Sequence, residues 1–539
     1  MSNVTPAPAH RFDAIVVGAG HNGMIAAAYL GRAGLKVALL ESRPSLGGPC
    51  GSYEFMPGYR VAFTNSPGSF EPRFIQELEL EQYGLRFVSP DPTVVHPFPG
   101  GSFIGWRDRD RIAAQFNSYA PGEADRYFNL LASLEELGRH LGVSMYEPSP
   151  DLVTIAKKLP REQERLFRRV FLGSLRQLLD EELESTQAKA LLGMLALNAA
   201  LIPPSAPGTA IGLMLRPISL ASSPALDPND PRRSVLRGST GLPIGGMGAI
   251  IDALEACCRA HGVLVKTNAA VTKVLHRNGR AAGVVTANGD EYHAPVVVSA
   301  INPSTLFGKL LDDDAVGAQM RREVAAVPMR GSASKLVIAL DGIPSYAGIP
   351  ADVSVEQVSR VQFRIAPSLD YIERAIADGL SGVPSRDPIM WGLIPTVTSP
   401  DHAPPGRHLL SVNVWHAPYE LREGTWESEK DKFLNRCIEV LSEFMPDLRD
   451  RMVDRRLMGP VEIEQELGLV HSNITHGEMM PAALFGARPH RDAHDYRTPL
   501  KGLYLSGSGT WPGGYVTGIP GYNASRAVLN DRAQIRATA

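Results

Sequence analysis

The hexapeptide Gly18–Gly23 (GAGHNG) limits the fold of this chain more than any other part of it. It follows directly on a short apolar stretch, Asp13–Val17, and opens an amphipathic segment over roughly Met24–Ala33 that stops at Gly34. A second apolar stretch, Val37–Leu40, ends on Glu41. Strand, glycine turn, helix and strand in this order form a β-α-β unit, which requires a parallel sheet covered on both faces. Each glycine in the Gly-x-Gly-x-x-Gly spacing has its own reason. Gly18 permits the tight turn off the strand. Gly20 lets backbone approach a pyrophosphate with no Cβ in the way. Gly23 lets the helix lie close on the sheet, and the phosphate charge then sits on free N–H groups at the helix N-terminus. Glu41 stands where an acid accepts ribose hydroxyls. The unit therefore predicts a dinucleotide site.

Two further strings narrow the dinucleotide. In ESRPSLGG, Arg43 and the pair Gly47-Gly48 follow the ribose-binding acid, placing a cation near the phosphates and running bare backbone along the ligand. That extension turns the reading from NAD toward FAD. Near the other end, the apolar stretch Gly502–Ser506 runs into the glycine-rich loop Gly507–Gly521 and then a helix to about Leu529. A helix N-terminus near Thr517–Ile519 would aim N–H groups at the pyrimidine edge of a flavin, where reduction places negative charge.

Between these ends the pattern changes twice. Residues from about 120 to 202 read as helices, among them one continuous helix over Gln163–Glu184, until Pro203, Pro204 and Pro207. The apolar run Ala190–Ile202 is too short for a bilayer span and reads as a buried helix. A polar loop follows at Ser222–Arg233, containing DPNDPRR. Short strands and turns return over 264–300, and Lys335–Leu340 with His408–Val414 suggest a second sheet. The expectation is an α/β chain in which a discontinuous Rossmann-like FAD-binding domain (1–100, 235–310 and 480–539) carries an inserted mixed sheet and helix-rich substrate domain (101–234 and 311–479).

Composition removes several classes of function. A net charge of −3 offers no basic excess for nucleic acid. The four cysteines, Cys50, Cys257, Cys258 and Cys437, contain no CxxC pair, so neither a metal site nor a redox dithiol is expected, and a reducing, cytoplasmic setting is. Residues Met1–Arg11 lack the apolar core of a secretory signal and read as a flexible arm. A homo-oligomer is left open.

With these strings in view, the chain resembles the phytoene desaturase and amine oxidase superfamily of FAD flavoproteins. Within it, the resemblance runs to the branch of desaturase-like bacterial carotene ketolases and mammalian pyridine nucleotide-disulfide oxidoreductase domain proteins. The matching strings are VVGAGHNGMIAAAYLGRAGLKVALLESRPSLGG, GLPIGGMGAIIDAL, HSNITHGEM and LYLSGSGTWPGGYVTGIPGYNASR. The resemblance implies FAD contacts at Gly18, Gly20, Gly23, Glu41, Arg43, Gly47 and Gly48, at the backbone of Val271, and at Gly509, Thr517, Gly518 and Ile519. One departure is visible: where many relatives carry an acid after the last strand, this chain has Ser506-Gly507-Ser508-Gly509. The resemblance also implies hydride transfer to flavin N5 from an extended apolar substrate, often a polyene, with peripheral contact to a membrane. Desaturation, ketolation and isomerisation stay open. An oxidase of amines or alcohols and a flavin-binding interaction protein stand as alternatives. Three residues are candidates at the reacting ring: Trp511 and Tyr515 as an apolar wall, and His476 as a base.

Overall fold

The computed structural model describes residues 10–65, 70–196, 200–223 and 241–538. Its organising element is a five-stranded, wholly parallel sheet in the order Leu264–Lys266, Val37–Leu40, Ala14–Val17, Val297–Ser299, Leu503–Leu505. The two strands of the sequence-predicted β-α-β unit lie side by side near its centre. Alternation along Ala14–Val17 explains why all four residues are buried. Ala14 and Val16 face the larger core, Ile15 and Val17 the smaller one on the opposite face of the sheet. The helix His21–Arg32 covers the larger-core face beside Gly248–Ala260 and the last helix, Ile519–Thr538.

A four-stranded sheet sits against the smaller core, formed by His10–Arg11, Glu291–His293, Arg280–Thr286 and Val271–Arg277. The end of the expected arm is thus a strand: His10 and Arg11 pair with Tyr292 and His293. Residues 1–9 lie outside the described residues, as do most of the predicted polar loop, including DPNDPRR, and residues 197–199 within the apolar run.

The second large sheet has seven strands in the order Met452–Met458, Ala333–Leu340, His408–Trp415, Ile389–Leu393, Gln362–Ile365, Val94–Phe98, Gly101–Ile104. It is mixed: Gln362–Ile365 runs parallel to Val94–Phe98 and the other pairs are antiparallel. The expected boundary at residue 100 falls inside the hairpin Val94–Ile104, which belongs to this sheet. The helical stretch follows in Glu123–His140, Leu152–Lys158, Arg161–Phe171, Leu175–Glu182 and Thr186–Ala196. The single helix expected over Gln163–Glu184 is broken at Leu172-Gly173, because Ser174 caps a new helix by accepting the Gln177 N–H at 3.0 Å. The apolar run is helical and buried as far as Ala196. Among the described residues no helix is long and apolar enough to cross a membrane.

Candidate active site

At the carboxyl ends of Ala14–Val17, Val37–Leu40 and Val297–Ser299 the sheet opens into a cleft of about 330 Å³. This is the edge at which open parallel sheets take their ligands. Gly18 turns the chain there with φ +94°, and a Cβ on it would meet Ile301 at 2.9 Å. A Cβ on Gly23 would stand 2.0 Å from the Gly18 carbonyl oxygen, so only glycine lets the helix reach the sheet. Gly20 differs from both. A Cβ there meets no protein atom within 4 Å, and its φ of −72° is open to any residue. Neither packing nor backbone geometry requires glycine at this cleft-lining position.

Glu41 is buried at the adjacent wall with its carboxylate held from one side. Oε2 accepts the Ala19 N–H at 2.8 Å, and Oε1 accepts the Ser42 hydroxyl and the Arg43 N–H, each at 3.1 Å. A carboxylate has about four acceptor positions, so capacity remains for hydroxyls of a ligand. The Arg43 guanidinium lies over the Tyr53 ring, 5.0 Å from its centre, and lines the cleft. Gly47 donates its N–H to the Ala19 carbonyl at 2.8 Å and bridges Gly20, which lays Gly48 along the cleft floor. Val271, His476 and Tyr515 line the cleft as well.

The remaining sequence candidates lie elsewhere. Thr517, Gly518 and Ile519 are buried behind the wall, whose lining members from this loop are Ser508, Tyr515 and Val516. Gly518 serves packing: with φ +82°, a Cβ on it would strike Ile25 at 2.3 Å. The helix starts at Ile519, whose N–H bonds to the Thr517 hydroxyl at 3.2 Å. Gly509 faces a neighbouring cavity. Trp511 corrects the expectation of an aromatic wall. It is 0% exposed, stacks on Phe485 at 5.2 Å and donates its indole N–H to the Ser144 carbonyl at 2.9 Å. It lines none of the described cavities; it anchors the loop to the helical region. Trp511→Ala is accordingly expected to lower unfolding free energy by about 3–5 kcal/mol, read by denaturant melting, while folded protein keeps its cofactor.

Among the lining residues that the sequence did not single out are the polar His21, Asn22 and Thr64; Cys50, which follows the Gly47-Gly48 pair, lines the cleft as well. His21 and Asn22 are the x positions of the glycine motif, where residue type is free in the pattern. His21 Nε2 and Asn22 Oδ1 are buried with no partner in the protein. Buried polar atoms rarely stay unpaired, so a polar ligand along this wall is what they are arranged for. Burial pulls His21 down to about 4 and pushes the Cys50 thiol up to about 12. Both are therefore neutral at pH 7, and Cys50 is no nucleophile. His476 is also pulled down to about 4, first by its deep setting, then by Arg488 and His21, and its Nδ1 has no partner.

Thr64 ties the cleft to the seven-stranded sheet. The buried Lys335, on the strand Ala333–Leu340, donates to the Phe63 carbonyl at 2.8 Å, Asn65 Oδ1 at 2.7 Å and Asn413 Oδ1 at 3.3 Å. Burial holds its pKa well below the usual lysine value. Asn65 also donates to the Trp391 and Ser411 carbonyls, both at 3.1 Å. Residues 63–65 are thereby fixed on both sides of Thr64.

The cleft meets the demands of FAD on its own terms: an acid with spare acceptor capacity, unobstructed backbone at Gly20 beside a helix N-terminus, and unpaired buried polar atoms along one wall. Comparison with known proteins agrees. Residues 23–528 match the family of flavin-containing amine oxidoreductases. Pyridine nucleotide-disulfide oxidoreductase domain-containing protein 2 of Rattus norvegicus is 28% identical over 96% of this chain and 94% of its own length. A limonene dehydrogenase chain of Castellaniella defragrans is 24% identical over 96% and 94%. Prolycopene isomerase 1, chloroplastic, of an Oncidium hybrid cultivar is 25% identical over 95% and 82%. The chain belongs to the flavin-containing amine oxidoreductase family and is an FAD-dependent oxidoreductase.

Proposed function

We propose that this enzyme takes a hydride from an extended apolar substrate, a polyene or a smaller unsaturated hydrocarbon. The observation that carries the reading is the surface beyond Thr64. There the wall meets a gap of about 20 Å³ that must widen to admit a substrate; Val61, Ala62, Leu242, Pro243, Met247 and Leu393 form its apolar lining, and no carboxylate lines it. Its one titratable group, His402, is lowered by burial and so stays neutral at pH 7. In the cleft itself Glu41 is the only lining acid among the described residues, and it is the acid assigned to the ribose of the cofactor. An amine arriving as an ammonium ion finds no counter-charge on this path, whereas hydrocarbon loses water-exposed area on entering it. The names of two relatives point the same way, since limonene and prolycopene are both hydrocarbons.

Bound FAD supplies the hydride acceptor, its flavin N5. The protein supplies position and a dry setting. Glu41 and the glycine backbone hold the dinucleotide end. Tyr515 borders the reacting end, and Thr64 marks the entry to the apolar gap. His476 is a neutral imidazole at pH 7, and its unpartnered Nδ1 accepts a proton in one tautomer and donates a hydrogen bond in the other. Anaerobic titration checks the reading. Adding limonene or a carotene to FAD-loaded protein is expected to bleach the visible flavin absorption, while primary amines leave it unchanged. Bleaching by amines alone would replace this reading with an amine oxidase.

A further inference from the structure

A second cavity of about 270 Å³ adjoins the flavin cleft, and Asn302 and His476 line both. Its other walls come from the helix Ala318–Ala325, the residues just after it, and the loop 482–491. Its charged groups are unequally matched. Glu323 has a local partner, accepting from His490 Nε2 at 2.5 Å. Arg488 has none of opposite charge. It is 2% exposed, and its terminal nitrogens donate only to backbone oxygens: those of Thr475 and Gly477, Ser508 at 2.9 Å and Ala483 at 3.3 Å. Its Nε–H has no acceptor. Burial lowers Arg488 to about 10, which still leaves it charged at pH 7.

A guanidinium enclosed without a counter-ion is strongly disfavoured unless an anion completes its surroundings. His476 supplies a second polar atom without a partner, Nδ1, in the wall that the two cavities share. The rest of the lining is mixed: Pro303, Val324, Val327 and Met329 form an apolar patch, while Asn302, Ser304 and the exposed Arg491 are polar. Carboxylate-binding sites combine these parts: one arginine for the charge, a neutral donor beside it, and apolar surface for the body of the ligand.

We propose that this cavity binds a small carboxylate with a short apolar body, with Arg488 as its counter-charge, beside but separate from FAD. The two sites share His476, but the hydrocarbon reading uses neither Arg488 nor Ala487, on which the test turns. The probe is labelled butyrate, offered to FAD-saturated protein in equilibrium dialysis against chloride at equal ionic strength, with thermal melting as a second readout. Saturable binding of one butyrate per chain is expected, with a rise in melting temperature that chloride does not produce. Arg488→Gln should abolish it. Because that side chain also clamps three loops, Ala487→Phe serves as the independent variant. Ala487 lines the cavity from an exposed position, and the larger ring should weaken butyrate about tenfold or more while flavin content stays the same. No saturable binding to the FAD-saturated protein overturns the proposal. So does binding by cofactor-free protein that added FAD abolishes, which would assign Arg488 to the phosphates of the cofactor. Binding that Ala487→Phe leaves untouched overturns it as well.

Discussion

Gly20→Val is expected to fold normally and to lose FAD. The backbone at residue 20 is extended, with φ −72° and ψ 170°, a conformation that suits a β-branched residue. A Cβ there meets nothing within 4 Å, so the substitution costs the protein fold little. The two added methyl groups occupy the cleft where backbone must approach the pyrophosphate. Losing two charge-assisted hydrogen bonds there costs about 3–6 kcal/mol, or roughly 10²- to 10⁴-fold in Kd. The contrast is Gly23→Ala, whose Cβ would stand 2.0 Å from the Gly18 oxygen and should damage the fold itself. Flavin content and melting temperature, measured together, separate the two. A Gly20→Val protein that purifies fully yellow would move the pyrophosphate away from this turn.

Acid should destabilise the protein well above the usual carboxylate range. His96 and His416 are both buried and lie outside the flavin cleft. Burial takes His96 down to about 3 and His416 to about 4. His96 Nε2–H donates to the Ala366 carbonyl at 3.1 Å, and the Nδ1 of each ring has no partner, so each sits neutral in the fold. In the unfolded chain both take up protons as pH falls below about 6.5, while the folded protein does so only near 3–4. The unfolded state therefore binds more protons across this interval. The stabilisation is full above about 6.5 and is lost as pH falls toward the folded values. By pH 5 each ring removes about 2 kcal/mol. Denaturant melts of FAD-saturated protein at pH 7 and pH 5 should differ by at least that sum. The double variant His96→Gln/His416→Gln should shrink the difference by about 4 kcal/mol, and an undiminished slope in that variant would place the acid sensitivity elsewhere.

What could be read from sequence follows from where local geometry dictates residue type. Gly18 and Gly23 are glycines because a Cβ would collide, and Gly47 because φ is +104°. Such positions mark themselves in any sequence. Trp511 does not: a tryptophan in a glycine-rich loop can face a ring site or a core, and only the Ser144 carbonyl, far off in sequence, decides for the core. The same holds for Lys335, which reads as an ordinary strand lysine until Asn65 and Asn413 enclose it. Thr64 became part of the site by tertiary placement alone, whereas Cys50 follows directly on the glycine pair that lines it. Gly518 was legible as a special residue, and the fold adds a packing reason, since a Cβ on it would strike Ile25.

The parallel sheet has a consequence for how the protein comes into being. Its central strand Ala14–Val17 is made long before its edge strand Leu503–Leu505. Asn22, on the helix after the glycine turn, meets Ser508 across 486 residues of chain. Until Ser508 has been made and has left the ribosome, the cleft lacks one border however long translation pauses. A complete flavin cleft therefore waits on a segment far from the glycine turn in sequence.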